Sequence, residues 1–422
     1  MIGSKLSMVD SMFGIRLRAK RIFNRAIINS DLLHANISYM WQGLNRIRTP
    51  QYRLGDPVWN RDSQEPLNDE GLANICVFVV YASEATLSTL SYIQALRDAG
   101  FAILVINNSV TSKEFLDALK PLCWRIYNRR NIGRDIGAFK DGIMHLFAQG
   151  ILQQCRFLCL ANDSMQFVPG INGADFTVRI RNFINTESGA LFTHESHQIV
   201  KHYQSFFQLL DSTIVNSPGF HRFWSTYRPL SNREHCIHKG ELALSQNVYN
   251  QIKKVRVLYS PDALLESLRS ASPESAPKLV DILGLMPSQT RTKRSKQKNY
   301  ALEQLNDAAS IQKSMDPLLE HYLCELIEHS NASHVAAFLY PLYLRCPLIK
   351  HDLCLSGSFS IGKVLILYAE VLCKAGLEAA DSKMRTQEFR RLIQLKGIPS
   401  DYRSKPLERA LKGVTDGFQY PL

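Results

Sequence analysis

Long apolar runs alternate with helically spaced ones from residue 74 onward. Ile75-Cys76-Val77-Phe78-Val79-Val80-Tyr81 has no polar interruption, the pattern of a strand buried on both faces. Leu87, Leu90, Ile93 and Leu96 then recur at helical spacing until Asp98-Ala99-Gly100 ends the run. The alternation continues. Residues 101–106 predict a second strand, Phe115, Leu116 and Leu119 a short helix, and residues 124–127 a third strand. Residues 136–147 predict a further helix, 156–161 a fourth strand, and 189–193 and 255–259 later ones. Strands joined by helices of this length need right-handed crossovers, so the pattern predicts an α/β fold with a mainly parallel sheet flanked by helices.

The flanks read differently. Residues 1–70 are weakly periodic, but Met12-Phe13-Gly14-Ile15-Arg16-Leu17-Arg18-Ala19-Lys20-Arg21-Ile22-Phe23 mixes apolar and basic positions. Wound as a helix, it suits either an anionic membrane surface or a solvated leader covering the neighbouring domain. Between 266 and 300 the chain is Ser- and Pro-containing, with a basic run at Arg291, Lys293, Arg294, Lys296 and Lys298, which predicts a linker. From 301 to 422 apolar stripes at Leu302/Leu305, Leu318/Leu319/Tyr322/Leu323/Ile327 and residues 364–372 predict a C-terminal helical subdomain. The main domain then spans 71–265.

Composition narrows the class. The 422 residues are 45% hydrophobic and 21% charged, which excludes wholesale disorder, collagen and coiled coil. No stretch approaches the roughly 20 apolar residues of a spanning helix, and no signal peptide is recognisable. Nine cysteines without a CxxC pair suit reduced thiols, so the expected location is the cytoplasm, on the inner face of the membrane if the basic leader is an anchor and not a solvated cover. Fifty Lys+Arg against 38 Asp+Glu leave a net charge of +12. Aromatic interleaving is poor and no nucleic-acid motif is present, so no nucleic-acid partner is expected.

In an open parallel sheet, ligands bind beyond the carboxyl ends of the strands. Polar clusters stand there: Tyr81-Ala82-Ser83-Glu84, Asn107-Asn108-Ser109, Asn128 to Asp135, and Asn162-Asp163-Ser164. In the third, Gly133 permits close backbone approach and the following helix N-terminus favours an anion. Arg129, Arg130 and Arg134 can add charge for a diphosphate, and Asp135 can bond a ribose or sugar hydroxyl. Equally, Asp135 can be a first-turn helix residue and the arginines surface solubilisers. Asp163 can hold a divalent ion against a diphosphate, or simply form an Asx-turn. His194, His197 and His202, with His235, Cys236 and His238, are close in sequence, but surface histidines are a commoner reading than zinc ligands.

Together and in order, these clusters resemble the rhamnan synthesis F family, a glycosyltransferase-like group of bacterial surface-polysaccharide loci. The resemblance rests on Val77-Phe78-Val79-Val80-Tyr81-Ala82-Ser83, Arg130-Asn131-Ile132-Gly133-Arg134-Asp135-Ile136-Gly137-Ala138-Phe139-Lys140 and Leu160-Ala161-Asn162-Asp163-Ser164. His202-Tyr203-Gln204-Ser205-Phe206-Phe207, Phe223-Trp224, Gly240-Glu241-Leu242-Ala243-Leu244-Ser245 and Pro347-Leu348-Ile349-Lys350 extend it. It implies a GT-A-like fold that moves a deoxyhexose, rhamnose from dTDP-rhamnose for example, to a glycan or lipid-linked glycan of the cell surface or lipopolysaccharide. Ser83, Arg130, Asn131, Gly133, Arg134, Asp135, Asn162 and Ser164 are then expected around the nucleotide sugar. Asp163 stands where such enzymes carry a metal-binding acid, which implies Mg²⁺ or Mn²⁺, although one acid in place of several weakens that expectation. Glu241 is the expected general base, because Gly240-Glu241 opens a predicted helix; a first-turn glutamate complementing the dipole is its other reading. The alternative function is a non-catalytic scaffold of the same fold in a polysaccharide assembly complex.

Overall fold

The four long apolar runs form the strands at the centre of the molecule. A computed structural model describes residues 54–61, 72–197, 200–231, 233–270, 331–354 and 359–396. The basic segment at 12–23, the basic run at 291–298 and the stripes between 302 and 327 lie outside the described residues.

In chain order the elements are β1 (Trp59–Asn60), β2 (Asn74–Val80), α1 (Leu87–Asp98), β3 (Ala102–Asn107), α2 (Lys113–Leu119) and β4 (Arg125–Asn128). They continue with α3 (Arg134–Ala148), β5 (Phe157–Asn162), β6 (Met165–Phe167), α4 (Gly170–Thr186), β7 (Ala190–Phe192), β8 (Glu195–Ser196), β9 (His202–Tyr203) and β10 (Phe207–Asp211). Then come α5 (Pro218–Thr226), β11 (Val255–Val257), α6 (Pro261–Arg269), β12 (Leu348–Lys350), α7 (Ile361–Lys374) and α8 (Ala379–Lys396).

Eight strands form one sheet in the order β1-β4-β3-β2-β5-β10-β7-β11. β4, β3, β2 and β5 are parallel, with Val77 opposite Leu104 on one side and Leu160 on the other. β10 runs antiparallel between β5 and β7, and β11 pairs with β7 in parallel. Alternation along β2 sorts its side chains. Cys76, Phe78 and Val80 enter a layer with α1, α2 and α4, whereas Ile75, Val77 and Val79 face α3 and α5. Each such side chain contributes about 1.5–3 kcal/mol by leaving water. Strand order grows from β2 through β3 to β4, then reverses to β5, and the crossover helix changes face with it. That reversal is a topological switch point beside the carboxyl end of β2.

β10 departs from the expected strands. Its sequence, Phe-Gln-Leu-Leu-Asp, carries Gln208 inside the sheet, where the Tyr249 hydroxyl donates to Gln208 Oε1 at 2.6 Å. A buried glutamine breaks the apolar run that marks the other strands. β12 likewise lies in a region read as helical, and pairs antiparallel with β6. The C-terminal helices do not stand apart from the sheet. Val364, Leu367, Tyr368, Phe389 and Ile393 share the hydrophobic layer of α1 and α4. Glu388 of α8 accepts hydrogen bonds from the Leu87 and Ser88 amides at 2.5 and 3.0 Å, capping the first turn of α1. Among the described residues no helix is long and apolar enough to cross a membrane.

Candidate active site

The loops after β2 and β5 are tied together at the switch point. Asp163 Oδ2 accepts from the amides of both Tyr81 and Ala82 at 2.8 Å. Asn162 turns the other way: its Nδ2 donates to Asp135 Oδ2 at 3.1 Å, while its Oδ1 accepts from the Ser164 amide at 3.1 Å and hydroxyl at 2.6 Å. The motif is therefore an Asx-turn whose two acidic neighbours hold opposite walls. Asp135 sits in the first turn of α3, as one of its two readings had it, and its carboxylate also reaches the β5 loop.

Gly133 sets that helix start. Its φ of +78° is left-handed, and a Cβ there would collide with Pro229. Ser231 Oγ accepts from the Gly133 amide at 3.2 Å. Arg134 also has a positive φ, 55°, and its carbonyl accepts from Asn108 Nδ2 at 3.2 Å. The strained turn is thus held from two sides. Burial raises the Asp135 carboxyl above its usual range; the amides of Ile136 and Asp135 and the charges of Arg134 and Lys350 oppose that rise.

The three arginines separate. Arg129 is buried and does not face a ligand: its guanidinium bonds Asp141 Oδ2 at 2.8 Å, Asn108 Oδ1 at 2.6 Å and the Ile132 carbonyl at 2.8 Å. It braces the loop, which corrects its reading as a phosphate cation or a surface solubiliser. Arg130, Asn131 and Arg134 are exposed on the loop, and Ser83 is exposed beyond β2 with its carbonyl accepting from the Ser112 amide at 2.9 Å. Beneath them, Asn107 Nδ2 donates to Asn128 Oδ1 at 2.8 Å, joining the ends of β3 and β4.

Glu241 lies on the other wall. Its helix begins at Arg233 and passes through a π-helical stretch, Cys236–Leu242, so Glu241 is interior to it: the first-turn reading falls, and so does the helix start from which its role as base was expected. A Cβ at Gly240 would come within 3.0 Å of Ile136 of α3, so glycine lets this wall lie close against the Asp135 helix. Glu241 Oε1 accepts from the Ser205 amide at 2.9 Å. Burial raises its carboxyl, Lys350 and His202 act against that, and the nearby Asp135 charge adds to it. Asp135 and Glu241 therefore share one electrostatic neighbourhood with Lys350, a residue quoted in the late motif but given no role by sequence reasoning. Its only signal was that motif.

The histidine clusters divide: His197 and His238 are exposed, as expected of surface residues, and the other three are buried. His194, His202 and His235 are 2%, 5% and 8% exposed. His194 stands among Phe206, Tyr259 and Tyr340, His202 meets the Val200 carbonyl and Gln204, and His235 meets the Arg228 carbonyl. Among the described residues no group of three or more His, Cys, Asp or Glu is arranged to hold a metal. With Asp163 Oδ2 already shared by two amides, the motif does not fit a divalent ion unless a ligand brings oxygens of its own.

Comparison with known proteins agrees with the motifs. Residues 103–276 match the family model described as rhamnan synthesis protein F. The uncharacterized protein y4gN of Sinorhizobium fredii is 24% identical over 200 residues, covering 47% of this chain and 51% of its own, so the chain spans about half of that relative. Among solved structures, 4-diphosphocytidyl-2C-methyl-D-erythritol synthase from Anaerococcus prevotii is 10% identical, with a TM-score of 0.29, covering 45% of this chain and 88% of that one. A proposed nucleotide-diphospho-sugar transferase from Desulfovibrio desulfuricans is also 10% identical, with a TM-score of 0.27, covering 60% and 98%. Scores this low say nothing about chemistry. The segment that carries the clusters at 131–135 and 162–164 thus matches the rhamnan synthesis protein F family, the one its motifs resemble.

Proposed function

We propose that the chain is a GT-A-like glycosyltransferase that moves a sugar from a nucleotide-diphosphate donor to a glycan or lipid-linked glycan, with dTDP-rhamnose as the donor suggested by the family resemblance. The observation that carries this reading is the convergence of Asp135, Asn162 and Asp163 at the switch point, with the β2 loop fastened to the same motif. A crevice at such a point is where an open α/β sheet binds nucleotides. The exposed Arg130 and Arg134 suit a diphosphate, and Asp135 suits a sugar or ribose hydroxyl.

In the reaction, the acceptor oxygen forms a bond to the anomeric carbon while the bond from that carbon to the donor phosphate breaks, its electron pair leaving on the diphosphate. The hydroxyl proton passes to the Glu241 carboxylate. Burial favours that transfer by raising the basicity of Glu241. Mg²⁺ or Mn²⁺, if bound, would be held by Asp163 together with donor oxygens.

A scaffold without catalysis is the second reading, favoured by the use of Asp163 Oδ2 to fasten main-chain amides. Calorimetric titration with dTDP-rhamnose and UDP-glucose, with and without Mg²⁺, tests the choice. Donor binding that Asp135→Asn weakens at unchanged melting temperature supports the transferase. A folded wild type that binds neither compound refutes it.

A further inference from the structure

We infer that Lys350, delivered by the C-terminal strand β12, is the cation that faces the donor's diphosphate and neutralises it as it leaves. This rests on the transferase reading above.

Register brings Lys350 to the site. β12 pairs with β6 so that Lys350 is opposite Met165, the residue after Asn162-Asp163-Ser164, and the next amide, that of His351, donates to the Ser164 carbonyl at 3.4 Å. On its other side, Lys350 Nζ lies 5.2 Å from the centroid of Phe206. Phe206 follows Ser205, whose amide holds the Glu241 carboxylate. The ammonium thus stands between the β5 motif and the proposed base, where the leaving group and the attacking hydroxyl must meet.

Its chemistry suits an anion that arrives with the substrate. Lys350 is half-buried and makes no ion pair among the described residues; its ammonium lies over the face of an aromatic ring. A lysine that served only to support the fold would be expected to pair with a carboxylate, and Arg129 shows how this chain does that elsewhere. Instead the Lys350 charge is spread over its surroundings: it opposes protonation of Asp135 and Glu241 and depresses His194 and His334. A fixed positive charge beside a developing diphosphate acts as metal ions do in related chemistry, with no reorganisation at the moment of reaction. The poor fit of the acidic motif to a divalent ion leaves that role open to it. As the carbon–oxygen bond breaks, the electron pair moves onto the diphosphate oxygen, the lysine remains protonated throughout, and the acceptor proton goes to Glu241.

The test uses the full chain and compares dTDP, dTMP and thymidine by calorimetry, in EDTA and in Mg²⁺. Wild type is expected to bind dTDP in EDTA, and Lys350→Ala to bind it about tenfold more weakly or worse. Thymidine affinity should be unchanged and dTMP affinity should fall less, while Lys350→Arg should recover most dTDP binding. Thermal melts of each variant verify folding. Equal dTDP affinity in wild type and Lys350→Ala overturns the Lys350 assignment and leaves the transferase standing. Loss of dTDP, dTMP and thymidine affinity in equal proportion also overturns it, since the residue would then be supporting the fold. A wild type that binds neither nucleotide overturns both.

Discussion

His194 gives the protein a built-in sensitivity to acid. Its ring is 2% exposed, its Nδ1 has no hydrogen-bond partner among the described residues, and its Nε2 lies 3.9 Å from Cys346 Sγ. Burial, aided by the Lys350 charge, pushes its pKa down to about 3. In the unfolded chain the ring titrates near 6.5. Between these values the unfolded state binds a proton that the native state refuses, so stability is complete above about pH 6.5 and falls as the pH drops toward 3. The slope approaches ~1.4 kcal/mol per pH unit, which amounts to about 2 kcal/mol between pH 7 and 5 and about 3 by pH 4. Other groups also titrate, so the informative quantity is a difference. Urea unfolding of wild type and His194→Phe at pH 7, 6 and 5 should show the gap between them shifting by about 2 kcal/mol in favour of the variant as the pH falls. The extra bulk of phenylalanine lowers the variant's stability equally at every pH and does not alter that shift. Parallel pH curves would refute the reasoning.

Other expectations follow from the site. Arg129→Ala should cost about 3–5 kcal/mol, because Asp141 and Asn108 lose a buried cation, and a fall in urea midpoint measures it. Arg129→Lys should recover little, since an ammonium cannot span three acceptors. Gly133→Ala should destabilise by roughly 1–3 kcal/mol or more through its positive φ and the collision with Pro229, and should weaken dTDP binding with it. Transfer should rise with pH through a carboxyl pKa above the ordinary glutamate value, and Glu241→Gln should lower the rate by about 10²–10⁴ and abolish that dependence.

The parallel core was legible because strands buried on both faces leave unbroken apolar runs, and Val77 and Leu104 need no partner identified to be recognised as core. What escaped depended on pairings between distant positions. β10 hides Gln208, whose partner Tyr249 comes from another element. Arg129, Arg130 and Arg134 look alike in a string of letters, and only the path of the turn decides that Arg129 is enclosed. The polar loops were placed after the right strands, since each directly follows an apolar run. Lys350 was not, because nothing in the local sequence reveals that β12 will align with β6.

That alignment has a consequence for biosynthesis. A nascent chain can assemble β2 to β11 and the walls of the crevice before β12 has been translated. At ~5–20 residues per second, the stretch from Arg269 to Leu348 delays completion by several seconds. During that interval the ribosome-bound intermediate would lack the Lys350 charge that acts on Asp135 and Glu241, so on the function proposed above full competence for an anionic donor would come as a late switch, timed by where one short strand is encoded.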